Sequence, residues 1–273
     1  MPLDARATEP EGDVYRLACL ELRGGNGAAV YQAEMPGLEV WVSCRPLAPA
    51  ARGGDLYYLS VCSRGSVARV TIADVAGHGE LVSASAESLR QALRAYADIW
   101  DQSGLVRRLN DSFLNAPAGG QFATAFLLSH YAETGELLFT NAGHPPPVWY
   151  RSASREWTYL LDTTPYSREI ADLPLGIISG TAYRQTGIQI EQNDLLLLYT
   201  DGVSESADPQ GARLGPERLL RIANDLPTAS APSAGEAFLE GLARFRGSAA
   251  AMDDQTVVAL RRLPRSAKLS DGI

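Results

Sequence analysis

The stretch Val70-Thr71-Ile72-Ala73-Asp74-Val75-Ala76-Gly77-His78-Gly79 does most to restrict what this chain can become. A β-branched apolar run delivers a carboxylate into a glycine-punctuated turn, and Val82, Ala86, Leu89, Leu93, Tyr96 and Trp100 then recur at helical spacing. The segment reads as strand, tight polar turn and amphipathic helix, which places Asp74 at a rigid junction.

Other strands carry acids at their ends. Arg52-Gly53-Gly54-Asp55 leads into Leu56-Tyr57-Tyr58-Leu59, and a turn at Ser63 to Ser66 lets this strand pair with the Asp74 strand as an antiparallel hairpin. Depending on register, the two carboxylates meet at the same end or the same face of a sheet. Leu195 to Thr200, apolar on both faces, predicts a buried central strand ending in Asp201-Gly202, and Asp253-Asp254 feeds a strand from Gln255 to Leu260.

The remaining segments fill in an α/β pattern. Val14 to Leu22, a turn at Gly24-Gly25-Asn26-Gly27 and Ala28 to Tyr31 suggest a short hairpin, and Leu38 to Ser43 alternates as a half-buried strand. A second helix follows Ser103-Gly104, making a helical hairpin with the first. Strands are expected at Phe122 to Ser129, Leu137 to Thr140, Val148 to Tyr150 as an edge strand after Pro145-Pro146-Pro147, Trp157 to Leu161, and Tyr183 to Ile190. Two further helices are expected, one with Pro216 in its first turn and one capped by Ser233 with Glu236 three residues on. Many strands with two pairs of helices point to an α/β protein built on antiparallel sheets.

The chain has 273 residues, 45% of them hydrophobic, enough for one large core. No composition break divides residues 14 to 262, so one domain is expected there, with a frayed segment at 1 to 13 and a disordered tail at 263 to 273. A net charge of -8 argues against nucleic acid as a partner, because such binding rests on clustered Lys and Arg. Cys19, Cys44 and Cys62 lack metal-ligand spacing and read as small buried hydrophobes in a reducing cytosol. Without an apolar run of roughly 18 residues or a signal-type N-terminus, a cytoplasmic protein with no membrane partner is expected.

Asp55, Asp74, Asp201 and the pair Asp253-Asp254 thus sit at strand ends beside glycine or a second acid. Hard divalent cations prefer oxygen ligands, and two of them roughly 3.5–4 Å apart can activate one water while neutralising a phosphoryl oxygen. Asp beside Gly is also ordinary turn composition, and spacing alone does not separate a phosphatase from another carboxylate-metal enzyme.

The ordered set of motifs is more specific. Gly53-Gly54-Asp55, Asp74-Val75-Ala76-Gly77-His78-Gly79, Phe122-Ala123-Thr124, Asn141-Ala142-Gly143-His144-Pro145-Pro146, Leu173-Pro174-Leu175-Gly176, Tyr199-Thr200-Asp201-Gly202 and Asp253-Asp254-Gln255-Thr256 resemble the SpoIIE-like branch of the metal-dependent PPM (type 2C) serine/threonine phosphatases over about residues 36 to 262. The resemblance implies an α-β-β-α sandwich of two antiparallel sheets flanked by helices, with two Mn²⁺ or Mg²⁺ ions at one end. It implies Asp74 as the bridging ligand, the Val75 carbonyl as a further ligand, and Asp55, Asp201 and Asp253 as the remaining carboxylates, with Asp253 preferred to Asp254. Where many relatives carry a second acid after the double-glycine aspartate, this chain has Tyr57-Tyr58.

The activity implied is removal of phosphate from Ser or Thr of a regulatory partner, of the anti-sigma-antagonist type, by a protein that can also form a homodimer. The competing reading is a catalytically silent module of the same fold that binds a partner through the helices at residues 80 to 115. Arg52 and Arg45 are candidates for the substrate phosphate, and Gly77 and Gly79 permit the tight turn and the approach of a phosphoprotein backbone. His78 follows the metal turn at a helix start, where a shape or hydrogen-bonding role fits better than proton transfer. His130 is expected to be structural, and His144 structural or substrate-side. No sensor or coiled-coil segment is expected ahead of the domain, only the strand-like residues 14 to 35, so regulation is expected from a partner, from the helical hairpin, or not at all.

Overall fold

The computed structural model describes residues 14–19, 21–62, 65–77, 80–99, 101–115, 121–161 and 172–264. The segments expected to be frayed at 1 to 13 and disordered beyond 264 lie outside the described residues, as do His78 and Gly79. Leu263, assigned to the tail by sequence, is tied in by a bond from its backbone N–H to the Gly37 carbonyl at 2.9 Å.

Strands β1 (Val14–Arg16), β2 (Leu22–Gly27), β3 (Ala29–Met35), β4 (Leu38–Arg45), β5 (Arg52–Val61) and β6 (Val67–Val75) precede helices α1 (Glu80–Ala95) and α2 (Gln102–Leu114). Strands β7 (Ala123–Tyr131), β8 (Glu136–Ala142), β9 (Val148–Arg151), β10 (Glu156–Tyr159), β11 (Thr186–Gln189) and β12 (Leu195–Tyr199) follow. Helices α3 (Asp201–Ser204), α4 (Gly215–Asn224) and α5 (Ala231–Arg246) then lead to β13 (Gln255–Arg262). One sheet has seven strands in the order β1-β3-β4-β13-β12-β9-β10, and the other has six in the order β11-β8-β7-β6-β5-β2. All neighbours are antiparallel except β1 and β3, which run parallel.

Alternation along each strand sorts its side chains into different cores. Tyr57, Leu59, Ile72, Phe126 and Leu128 meet Val40, Val42, Leu198, Val258 and Leu260 between the sheets. The other face of the six-stranded sheet, with Leu56, Ala73, Val75 and Leu127, is covered by Val82, Leu89, Leu105, Leu109 and Phe113 of the α1–α2 hairpin. The other face of the seven-stranded sheet packs Trp41, Leu195, Leu197 and Tyr199 against Leu219, Phe238 and Leu242 of α4 and α5. The result is the expected α-β-β-α sandwich, and a strand such as β12 is apolar throughout because it is covered on both faces.

Several local expectations are corrected. The glycine run 24–27 is not a turn but part of β2, because Gly24 comes so close to β5 that an added Cβ would stand 2.6 Å from the Tyr57 carbonyl oxygen. Val14 to Tyr31 is therefore no hairpin: β2 joins one sheet and β3 the other. Strand β9 is internal rather than an edge, since it pairs with both β12 and β10. Helix α5 is capped by Ser230 rather than Ser233: the Ser230 side chain accepts from the Ser233 backbone N–H, and a proline stands in the first turn. Cys44 is buried as expected and Cys62 half-buried, whereas Cys19 is exposed.

Buried Arg69 on β6 spans the turn between α1 and α2, donating to the carbonyls of Ala97 at 2.9 Å and Ile99 at 2.8 Å. This fixes the helical hairpin onto the strand that carries Asp74. Among the described residues, no helix is long and apolar enough to cross a membrane.

Candidate active site

The register of the six-stranded sheet builds the site. Asp55 on β5 stands directly opposite Asp74 on β6, and Asp74 stands opposite Thr124 on β7. Directly opposed residues of antiparallel strands point to the same side of a sheet. Two residues further along, the same face carries the row Tyr57, Ile72 and Phe126, which is buried between the sheets. Asp55, Asp74 and Thr124 therefore point into the space between the sheets, at the end where that layer opens.

The facing sheet answers with hydroxyls. Thr200 comes two residues after Leu198 and Thr256 two before Val258, so both fall on the same inner face. Thr200 Oγ1 donates to Asp55 Oδ2 at 2.7 Å and accepts from the Thr256 backbone N–H at 3.0 Å. Cys44 lies in the same neighbourhood, and burial with the charges of Asp55 and Asp254 pushes its thiol up to about 12. It is protonated and inert.

The two neighbouring acids of the last motif do different work. Asp254 is buried, and its carboxylate accepts from the backbone N–H of Leu47 at 2.6 Å and of Gly54 at 2.7 Å. It bolts the start of β13 to the glycine pair before Asp55, where a Cβ on Gly53 would overlap the carboxylate at 2.2 Å. Asp253 is half-buried, accepts from the Asp254 backbone N–H at 2.8 Å, and lies beside the first turn of α3, where Asp201 is the first helical residue. Gly54 also comes close to the Val75 carbonyl, 2.7 Å from where its Cβ would stand.

Electrostatics show how tightly the acids are gathered. The Asp74 pKa is raised to about 9, first by burial and then by the charges of Asp55, Asp201, Asp253 and Asp254. Asp55 is pushed well above the usual carboxylate range by burial, opposed by the hydroxyls of Thr200 and Thr256. Asp201 is also raised, by burial and then by Asp253 and Glu205, with a hydrogen bond from the Asp74 side pulling it back. Like charges held this close are stabilised by a cation. Among the described residues, no three of His, Cys, Asp or Glu already converge at metal-ligand geometry. The fit to a hard divalent ion rests on an all-oxygen donor set and on the mutual proximity of the acids.

The other candidates are spread around this centre. Arg52 and Arg45 are exposed, at the first residue of β5 and the last of β4. Gly77 is exposed with φ 109, a left-handed conformation open to glycine, and an added Cβ would press on Val82. His130 is buried, bonded through Nδ1 to the Pro36 carbonyl at 3.2 Å, and is structural as expected. His144 is buried with Nδ1 2.8 Å from Thr124 Oγ1. Sequence reasoning gave no role to Thr124, Thr200 or Thr256; the signal was available, because each lies an even number of residues from an inward-facing apolar residue of its strand.

A two-sheet sandwich enclosed by helix pairs, with carboxylates at one end of the inter-sheet layer, defines a protein-phosphatase fold. It is shared with the catalytic domain of the serine/threonine protein phosphatase PstP in complex with 2 manganese ions, at a TM-score of 0.57 and 16% identity over 83% of this chain and 99% of that one. The structure of the RsbU and RsbW domains of Rv1364c from Mycobacterium tuberculosis aligns at a TM-score of 0.67 with 23% identity, covering 88% of this chain and 62% of that one. The chain belongs to the family described as Stage II sporulation protein E (SpoIIE), which matches residues 64–263. The phosphoserine phosphatase RsbU of Bacillus subtilis (strain 168) is 25% identical over 215 residues, 78% of this chain, which spans 61% of RsbU.

Proposed function

We propose that this protein is a metal-dependent phosphoprotein phosphatase that hydrolyses phosphoserine or phosphothreonine on a regulatory partner protein in the cytoplasm. The observation that carries the reading is the register that sets Asp55 opposite Asp74 at the mouth of the sandwich, within electrostatic reach of Asp201 and Asp253. Its membership of the SpoIIE family and its likeness to RsbU support the same activity.

In this reading Asp74, the Val75 carbonyl, Asp55, Asp201 and Asp253 would together hold the Mn²⁺ or Mg²⁺ ions, two by family resemblance, through oxygen donors. Bound there, the ions would lower the pKa of a water and offset charge on the phosphoryl group. The chain supplies the rest. Thr200 holds one oxygen of Asp55 and so fixes its orientation. Asp254 holds the Gly54 backbone in place beside it. We assign the substrate side to Arg52, a planar donor suited to phosphate, and to Gly77 and Gly79, which themselves present no side chain to a partner's backbone. The partner we expect is a small regulatory domain of the anti-sigma-antagonist type.

With Mn²⁺ added, the protein should release phosphate from p-nitrophenyl phosphate and from phosphoserine peptides, and a chelator should stop it. If neither substrate is hydrolysed and calorimetry finds no Mn²⁺ affinity, the proposal fails and a silent binding module of the same fold takes its place.

A further inference from the structure

Of the three side chains in the cross-strand row at the mouth, two are acids and the third is Thr124. It stands directly opposite Asp74, whose other neighbour in the row is Asp55. Directly opposed Cβ atoms lie about 4.5–5.5 Å apart, close enough for neighbouring side chains to share one small ligand. Thr124 is half-buried, so its hydroxyl is neither sealed in the core nor loose in solvent.

That hydroxyl is held from behind. Thr124 Oγ1 lies 2.8 Å from His144 Nδ1, and His144 is only 4% exposed. The histidine is itself clamped: its backbone N–H donates to Asn141 Oδ1 at 2.7 Å, and Asn141 Nδ2 donates to its carbonyl at 2.9 Å. Burial lowers the ring pKa to about 3, with the Tyr199 backbone partly opposing, so the ring is neutral and brings no positive charge to the acids. Among the described residues Thr124 is the ring's only side-chain hydrogen-bond partner. A buried imidazole is a costly way to fill space, and a valine at position 124 would suit the strand equally well. The pair makes sense as a device for aiming a hydroxyl.

A threonine hydroxyl can make up to three hydrogen bonds, one as donor and two as acceptor. His144 uses one. Among the described residues no other group takes the remaining two, which can act on whatever lies beside Asp74.

We infer that Thr124 is a further residue of the active site, its hydroxyl hydrogen-bonding an oxygen delivered to the Asp55–Asp74 pair, and that His144 is the positioning residue behind it. The oxygen belongs either to the phosphoryl group of the substrate or to the attacking water. This inference rests on the phosphatase reading above.

The test compares Thr124→Val with Thr124→Ser on p-nitrophenyl phosphate in the presence of Mn²⁺, with inorganic phosphate as inhibitor. Losing one hydrogen bond to a charged group should lower kcat/KM about 10- to 100-fold in Thr124→Val, while Thr124→Ser stays within about threefold of wild type. Mn²⁺ affinity by calorimetry and the thermal midpoint should be unchanged in both. Weaker inhibition by inorganic phosphate in Thr124→Val assigns the bond to a phosphoryl oxygen; unchanged inhibition with a lower kcat assigns it to the attacking water.

His144→Gln, which releases the hydroxyl while keeping it, is the second variant and covers the case in which Thr124→Val does not fold. Its loss should be non-additive with that of Thr124→Val. Full kcat/KM in Thr124→Val, or in His144→Gln where that variant stands in, overturns the inference, as does a loss that Thr124→Ser shares or that follows a matching fall in Mn²⁺ affinity. A wild-type protein without activity or Mn²⁺ affinity refutes the phosphatase reading itself, a separate outcome.

Discussion

Two rows of side chains, one pleat repeat apart on the same strands and the same face, have opposite physical characters. Tyr57, Ile72 and Phe126 lie between the sheets, where removing apolar surface from water stabilises the fold. Asp55, Asp74 and Thr124 lie at the mouth, where burial and mutual repulsion raise the carboxyl pKa values and work against the fold. One sheet register serves both. The rigidity gained in the inner row is what holds like charges together in the outer one.

The largest effect on stability should come from emptying the inner row. Phe126 is buried and stacked on Phe139 with ring centroids 5.4 Å apart, so Phe126→Ala should cost about 3–5 kcal/mol in chemical denaturation. A cost below about 1 kcal/mol would mean that this row does not anchor the sheets.

Asp74→Asn should do the reverse to stability. It removes a carboxyl that must take up a proton to fold above about pH 4 and so raises the denaturation midpoint of the metal-free protein at neutral pH, while hydrolysis with Mn²⁺ falls by more than about 100-fold, beyond the usual loss for an outer-shell group. Lower stability in the variant would contradict the opposition between the rows.

Thr200→Val leaves Asp55 Oδ2 without its hydroxyl donor. The expected cost is about 1–3 kcal/mol by denaturation, because the buried Asp55 carboxyl and the Thr256 backbone N–H each lose a hydrogen-bond partner.

The pH dependence tests the outer row without any substitution. Folding raises the Asp74 pKa from an ordinary value near 4 to about 9, so its proton is held more tightly in the folded chain. That contribution is complete below about pH 4 and is lost as pH climbs toward 9. Metal-free protein should therefore melt lower at pH 8 than at pH 5, by up to roughly 10 °C, since three pH units at about 1.4 kcal/mol each act at 2–4 °C per kcal/mol for a chain of this size. Added Mn²⁺ should close the gap, and Asp74→Asn should show less of it. A midpoint that rises over this range in wild type and variant alike would remove Asp74 as its source.

Much of the site could be read before the fold, and the unread part has a physical reason. Each acid stands out beside glycine at a strand end, and the ordered motifs pointed to the SpoIIE family. The sequence did not reveal the register. A slip of one residue would turn Asp55 and Asp74 toward the helices, and only the packing of Tyr57, Ile72 and Phe126 between the sheets forbids it. Glycines at 24 to 27 looked like a turn because local propensity is blind to Tyr57 and Tyr58, whose close approach requires a glycine at 24. Likewise Ser230 and Ser233 compete as caps within four residues, and a proline in the first turn favours the earlier one.

The Asp254 bolt has a consequence in time. It joins positions 200 residues apart in the chain, and the strand it opens, β13, lies between β4 and β12 in the seven-stranded sheet. During synthesis, which proceeds from the N-terminus, β4 and β12 must wait for β13 before their sheet closes, while the six-stranded sheet has all its strands by residue 189. The Asp55–Asp74 pair can thus form early, but the backbone beside it is secured only when residues after 254 have emerged. A nascent chain thus carries Asp55 and Asp74 long before their surroundings are complete.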